Sequence, residues 1–593
     1  MMTIADLKEH YLSGARKPAA VIEEIFGRIR ADGELPVWIS VANERRAIDR
    51  AKSVDLSLPF AGVPFAVKDN IDVQGMPTTA GCPSFAYIPA ATATVVQRLL
   101  DAGAILIGKT NMDQFATGLV GVRSPYGACS SVFDSRYISG GSSAGSAVAL
   151  AKGYCAFALG TDTAGSGRVP AAFNNIVGLK PSRGLLSTTG VVPACRSLDC
   201  VSIFAATAGD ANAVWQVAQW FDADDPYSRT VTPGANAAPW LKGPFRFGVP
   251  DDSDLKFFGD DETPDLFQQA IRKLQQMGGI RVPIDFGVFR DAAQLLYAGP
   301  WVAERFAAVG DFLMRESKGV HKVVAEIIMG STKYFAVDAY RAAYKLEELK
   351  RRAMVQWSLM DVLLLPTAGT IYTLEAVDAD PIRLNSNLGY YTNFVNLMDL
   401  AAVAVPGGFR TDGLPFGVSL IGPAFSDEAL LRLAGRFLGE RASRTSELPG
   451  CVVVAVAGAH LSGQPLNHQL IERGARLVKS CRTAPDYRLF ALKDTAPPKP
   501  GLVREPDLNG WGIEVEVWAV PENQFGGFVA AVPAPLVIGN VVLDDGQTVK
   551  GFLCEPFALS GAVEITRFGG WLNYLNHQQV KVEAPSVRWS VNS

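Results

Sequence analysis

The rhythm of hydrophobic and polar positions changes repeatedly along the chain. Residues 3–30 repeat their apolar positions at helical spacing, with a break near Pro18. From residue 60 onward short apolar runs alternate with amphipathic ones. Residues 62–67 read as a strand, 93–102 as a helix and 104–107 as a strand. An apolar run from Ala147 to Leu159 predicts a helix beginning near Ser146 and a short strand over 157–159. Residues 212–290 read as helices joined by Gly/Pro/Asp-rich loops, an insertion able to shape a pocket. A long charged helix over 334–358, a strand over 361–366, a strand–turn–strand over 407–422 and a helix over 428–438 follow. This alternation predicts an α/β fold, a sheet covered by helices on both faces, over residues 1–440.

Residues 441–450 are polar and read as a linker. Beyond them the texture becomes β-rich. Runs at 452–457, 487–492, 513–519, 528–532 and 548–554 are separated by Pro/Gly turns. They predict a small α+β domain over 451–593.

Composition sets limits on function. At 593 residues the chain exceeds one ordinary domain, and 48% hydrophobic content supports large cores. A net charge of −4 gives no electrostatic case for nucleic acid. Eight cysteines are scattered, without a CxxC pair or a histidine at ligand spacing. That pattern suits a reducing cytoplasm and argues against a structural metal. The N-terminus lacks a signal-peptide core and no apolar run is long enough to span a bilayer, so no membrane role is expected.

The candidate chemistry lies in residues 139–170. Two Gly/Ser loops, 140–146 and 161–167, flank the apolar run, and the helix and strand would bring both to one sheet edge. Glycine lets the backbone approach a ligand and turn its N–H groups inward. A nucleophilic serine needs a base. The histidines His10, His321, His460, His468 and His577 all lie far from these loops in sequence, which argues against a Ser-His-Asp triad without excluding it. Lysine is the other base, once burial lowers its pKa. Lys68, in Val67-Lys68-Asp69-Asn70, closes an apolar strand, a place where lysines are also commonly exposed.

Val67-Lys68-Asp69-Asn70, Ser139-Gly140-Gly141-Ser142-Ser143-Ala144-Gly145-Ser146 and Gly160-Thr161-Asp162-Thr163-Ala164-Gly165-Ser166-Gly167-Arg168-Val169-Pro170 together resemble the amidase signature family. The resemblance covers about residues 1–440. It implies that Ser166 is the nucleophile, Ser142 a bridging serine in a cis peptide and Lys68 the base. It also implies that backbone N–H groups of Thr163, Ala164 and Gly165, with that of Ser166, form the oxyanion hole. No cofactor or metal is implied. Position 164 carries Ala where Gly is commonest, which leaves the N–H free.

Tyr297 and Arg305 flank Pro300, a residue suited to the first position of a helix, which would place Arg305 in the second turn. On the residues alone, Arg305 could equally pair with Glu304 or Asp311. The Thr161–Pro170 motif, with Gly118-Leu119-Val120-Gly121 and Arg123-Ser124-Pro125-Tyr126-Gly127, resembles the allophanate hydrolases within that family. In these a Tyr and an Arg eight residues later hold the substrate, and Tyr297 and Arg305 match. The segments 458–467 and 551–555 resemble the C-terminal domain of the same group, whose fold is similar to γ-glutamyl cyclotransferases. His460, in a Gly-flanked turn, is a candidate acid/base or a structural histidine.

The resemblance implies a cytoplasmic homodimer that hydrolyses allophanate (urea-1-carboxylate) to ammonia and carbon dioxide. The second domain would either assist decarboxylation or support assembly. Another small-molecule amidase is the near alternative. A different class is suggested by Gly103-Ala104-Ile105-Leu106-Ile107-Gly108-Lys109-Thr110, which fits the phosphate-loop pattern of nucleotide-binding proteins. Its four middle residues instead read as a buried strand.

Overall fold

The structure is a computed structural model that describes residues 2–230, 238–297, 299–316, 318–440, 451–508, 510–544 and 546–583. The chain divides into two units, Met1–Ser443 and Arg444–Ser593. The polar stretch 441–450, expected to be a linker, lies outside the described residues.

The first unit is built on an eleven-stranded mixed sheet. Its strands are β1 (Trp38–Val41), β2 (Pro64–Lys68), β3 (Ile105–Thr110), β4 (Phe157–Asp162), β5 (Val177–Lys180), β6 (Cys200–Ala205), β7 (Phe245–Pro250), β8 (Gly279–Ile284), β9 (Val362–Pro366), β10 (Leu400–Phe409) and β11 (Pro415–Pro423). They lie in the order β1-β3-β2-β4-β6-β5-β10-β11-β9-β7-β8. β2 runs parallel to both β3 and β4, so the C-terminal ends of β2 and β4 emerge side by side. Every residue of β2, β4, β6 and β9 is buried. These strands read as continuous apolar runs because helices cover both faces of the sheet.

The N-terminal helical region forms two helices, Ile4–Leu12 and Pro18–Ala31, and Pro18 opens the second. The run after the first Gly/Ser loop is the helix Ala144–Ala151, leading through a tight turn into β4. The phosphate-loop-like segment is strand β3. Its Lys109 ammonium is wholly buried, donates to the Pro77 carbonyl and the Thr78 hydroxyl, and lies 3.4 Å from the Asp69 carboxylate. A strand cannot turn successive N–H groups toward one phosphate, and this lysine is already engaged.

Two expectations fail. The 212–290 region is not all helix and loop, because it contributes β7 and β8 beside the helices Ala208–Ala218 and Thr263–Gln276. β8 is the sheet's last strand, and its exposed Ile280, Arg281 and Pro283 dilute the period-2 signal. Residues 528–532 are not a strand either. Phe528 lies in the helix Glu522–Ala530, as a short apolar run fits either element.

The second unit has a five-stranded sheet and a three-stranded one. Its strands are β12 (Cys451–Val456), β13 (Arg476–Arg482), β14 (Tyr487–Ala491), β15 (Pro500–Arg504), β16 (Glu514–Pro521), β17 (Leu536–Val542), β18 (Thr548–Cys554) and β19 (Val563–Glu564). The larger sheet has the order β13-β16-β12-β18-β17 and the smaller β15-β14-β19. Val454, Val517, Val541, Tyr487 and Leu489 are among the residues of one core. No helix among the described residues is long and apolar enough to cross a membrane.

Candidate active site

The parallel neighbours β2 and β4 carry the first pair of site residues at their ends. Lys68, the last residue of β2, donates from Nζ to Thr161 Oγ1 on β4 at 2.7 Å and to Ser142 Oγ at 2.8 Å. Ser142 follows a cis Gly141–Ser142 peptide and stands one residue before Ser143, the cap of the helix Ala144–Ala151. Ser143 locks the two Gly/Ser loops together, donating to the Thr161 carbonyl at 3.1 Å and accepting from the Thr161 N–H at 3.3 Å.

Lys68, Ser142 and Ser143 have no exposed surface. Burial is the main cause that brings the Lys68 ammonium from 10.5 down to about 7, with the Arg305 charge acting in the same direction. The carboxylates of Asp113, Asp199 and Asp162 oppose this without reversing it. A neutral amine at physiological pH is therefore accessible to Lys68, which an exposed lysine could not supply.

Ser166 sits in the second loop, 2% exposed. Its hydroxyl donates to the Gly118 carbonyl at 3.5 Å. No hydrogen bond joins Ser166 to Ser142 among the described residues, so the outer link of the expected relay is open here. Hydrogen bonds of this kind often close only around substrate.

The loop is shaped by Asp162. Its carboxylate accepts from Gly165 N–H at 2.9 Å, from Gly167 N–H at 3.0 Å and from the Arg168 guanidinium at 3.0 Å through both Nε and Nη2. Gly165 adopts φ +132°, and a Cβ there would run into the Thr392 side chain. Thr163 donates through its hydroxyl to Asp199, a buried carboxylate that also accepts from the Ala194 and Cys195 N–H groups. The N–H groups of Thr163, Ala164 and Ser166 meet no protein acceptor among the described residues. Gly165 is the correction to the expected set of donors, because Asp162 already takes its N–H.

Tyr297 ends the helix Gly287–Tyr297 and Arg305 lies in the next, Val302–Arg315. Pro300 precedes that helix by two residues instead of opening it, so Arg305 falls in its first turn. Arg305 is 2% exposed. It donates to the Tyr297 hydroxyl at 3.2 Å, the Thr117 hydroxyl at 3.0 Å and the Ala116 and Phe115 carbonyls at 3.2 and 3.5 Å. It forms no ion pair with a carboxylate among the described residues. Glu304 turns away and accepts from Ser197. A buried guanidinium with no carboxylate in contact is costly to keep.

Asp199, residues 115–117 and the contact of Thr161 with Lys68 escaped the reading of the sequence. Thr161 stood in a recognised motif, but only the parallel pairing of β2 with β4 reveals that it faces Lys68. Nothing local marks Thr117 or Asp199.

His460 belongs to the second unit, where it lines a cavity of about 160 Å³ together with Gln469, Lys499, Phe528 and Phe552. Its ring stacks on Phe552 at 4.9 Å and meets Phe528 edge-on at 5.5 Å. Its Nε2 is 3.0 Å from Gln469 Oε1, and burial pushes its pKa below the ordinary value. Among the described residues no cluster of three or more His, Cys, Asp or Glu side chains is placed to hold a metal ion.

Comparison with known proteins agrees with this geometry. Residues 20–431 match the Amidase family and residues 452–576 the allophanate hydrolase C-terminal domain. The urea amidolyase of Lachancea kluyveri is 45% identical over 589 residues, covering 93% of this chain and 32% of that protein. The chain thus spans about a third of the length of the curated relatives it matches. Among solved structures, Kluyveromyces lactis allophanate hydrolase superposes with a TM-score of 0.70 at 42% identity, covering 98% of this chain and 99% of that one. The K. lactis urea amidolyase gives 0.71 at 42% identity, covering 98% of this chain and 37% of that one. With more than half of its length matched by the family and the lysine and serines of the family motifs gathered at one sheet edge, the chain belongs to the amidase family.

Proposed function

We propose that the chain hydrolyses allophanate, releasing ammonia, by a Ser166–Ser142–Lys68 relay. The observation that carries this is the buried Arg305 guanidinium, which forms no ion pair with a carboxylate among the described residues. It is held by the same 115–118 loop whose Gly118 carbonyl meets Ser166. An amide bearing a carboxylate a few bonds from its carbonyl would satisfy Arg305 while presenting that carbonyl to Ser166. The 42% identity to K. lactis allophanate hydrolase over nearly the whole of both chains supports the same substrate.

In this reading neutral Lys68 accepts a proton from Ser142 as Ser142 accepts one from Ser166. Ser166 Oγ attacks the terminal urea carbonyl, and the negative charge on its oxygen is met by the N–H groups of Thr163, Ala164 and Ser166. Each well-placed donor of this kind contributes about 3–4 kcal/mol to the barrier reduction. The relay returns the proton to the departing nitrogen, ammonia leaves, and an acyl-enzyme remains on Ser166. Water, deprotonated by the same relay, releases N-carboxycarbamate, which loses carbon dioxide. Arg305 forms a charge-assisted pair with the substrate carboxylate and Tyr297 adds a hydrogen bond.

The second unit is assigned to that last step. His460, on the cavity of the second unit, would deliver a proton to the carbamate nitrogen as its bond to the departing carbon dioxide breaks. The match of 452–576 to the allophanate hydrolase C-terminal domain supports this role. Pairing of two chains and a cytoplasmic setting complete the reading and rest on the resemblance of the motifs.

Ammonia release from allophanate, urea, malonamate and glutamine at equal concentrations tests the assignment. Allophanate should be turned over fastest, followed by malonamate, which keeps the carboxylate. Faster turnover of glutamine or urea would overturn it.

A further inference from the structure

The loop that follows β3 has a backbone that non-glycine residues seldom adopt. Phe115 and Ala116 are consecutive and both left-handed, with φ of 49° and 52°. Such residues are strained and persist only where the surroundings over-determine them. Here the surroundings do. Phe115 N–H donates to the Ala80 carbonyl at 2.9 Å, Thr117 N–H to the Gln114 carbonyl at 2.9 Å, and the Thr117 hydroxyl to the Phe115 carbonyl at 3.1 Å. Arg123 Nη1 fixes the Thr117 carbonyl at 3.0 Å.

The result is a set of acceptors aimed at one nitrogen. Nη1 of Arg305 donates to the Ala116 carbonyl, the Phe115 carbonyl and the Thr117 hydroxyl. Nη2 donates to the Tyr297 hydroxyl. A guanidinium carries five N–H donors in a fixed plane. With Nη1 taken up by the loop, the Nε–H and the second Nη2–H remain, and neither meets a protein acceptor among the described residues. Nε and Nη2 border the edge of a guanidinium plane that can take a carboxylate side-on in two parallel hydrogen bonds.

We propose that Thr117 is a positioning residue for substrate selection. Its hydroxyl pins Arg305 Nη1, so that the Nε–Nη2 edge is turned to the substrate carboxylate. Thr117 accepts from Arg305 and donates to the Phe115 carbonyl, so one hydroxyl sets both the guanidinium plane and the left-handed loop that holds it. This inference rests on the reading that Arg305 recognises a carboxylate.

The test compares allophanate with biuret, which replaces the carboxylate by a neutral carboxamide of the same shape. It is run on the full chain and on Thr117→Val, Thr117→Ser and Arg305→Ala. Losing one hydrogen bond to a charged group is worth about tenfold or more. Thr117→Val should raise KM for allophanate about tenfold, with kcat changed far less, and lower the allophanate-to-biuret ratio of kcat/KM by a similar factor. Thr117→Ser, which keeps the hydroxyl, should restore most of both. If Thr117→Val lowers kcat/KM for the two substrates equally, or Thr117→Ser fails to recover the ratio, Thr117 only supports the fold and the inference is overturned. If Arg305→Ala itself leaves the ratio intact, the reading of Arg305 falls first, so the two failures are told apart. Should Thr117→Val fold poorly, Thr117→Ala with added denaturation curves gives the same ratio on the folded fraction.

Discussion

Lys68 Nζ stands 2.8 Å from Ser142 Oγ, and both side chains are sealed from solvent. This one contact couples the end of a buried strand to the loop that opens the helix Ala144–Ala151. It also sets a condition on the chemistry, since the amine accepts a proton only when it is neutral.

The pH dependence follows from that condition. Burial lowers Lys68 to about 7, so below that pH the amine carries its proton and the relay is blocked. The rate of ammonia release should rise with pH through about 7 with unit slope and then level off. At one unit below the midpoint it should be about tenfold under the plateau. Lys68→Ala should lose several orders of magnitude at every pH. Near-normal turnover by that variant would remove lysine from the account.

Arg305→Ala takes away the only cation proposed to meet the substrate carboxylate. Loss of one partner of a buried charge pair typically costs about 2–5 kcal/mol. Steady-state kinetics should show that penalty for allophanate and a much smaller one for biuret. Equal losses would mean that Arg305 maintains structure.

Asp162 and Arg168 are both fully buried and paired at 3.0 Å, and Asn396 donates to the Asp162 carbonyl while accepting from Arg168. Burial raises the Asp162 carboxyl, but Arg168 and the N–H groups around it outweigh burial and hold it below the usual range. Arg168→Met should leave that carboxylate uncompensated and cost about 3–5 kcal/mol of stability. Denaturant unfolding of the first unit would reveal it. A variant as stable as the parent would show that Asp162 relaxes to another partner.

His460→Ala separates the two proposed steps. Ammonia release at Ser166 should continue, while N-carboxycarbamate builds up and carbon dioxide lags. Carbon NMR of labelled allophanate follows all three species. If carbon dioxide keeps pace with ammonia in the variant, the second unit does not act in decarboxylation.

The sequence made the centre of the site legible because its parts lie on strand ends and in tight loops. Lys68 closes an apolar strand, and the two Gly/Ser loops bracket a single helix and strand. Arg305 was ambiguous, since nothing local tells Glu304 from a loop of carbonyls as its partner. The loop resolves it, but two left-handed non-glycine residues carry no signature in the chain. Gly165 misled for a related reason: a glycine in such a loop suggests a free N–H, and only the fold shows Asp162 taking it. β8 was hidden by exposed positions at the sheet margin, where period-2 patterning weakens, and β7 by a short, mostly buried run that lacks alternation.

The central claim is that Ser166 carries the acyl group. Rapid acid quenching during turnover of labelled allophanate, followed by peptide mass mapping, tests it most directly. The predicted result is a labelled adduct on the peptide containing Ser166, absent from Ser166→Ala, which should fold normally and release no ammonia. An adduct on any other residue, or ammonia release by Ser166→Ala at the parent rate, would contradict the account.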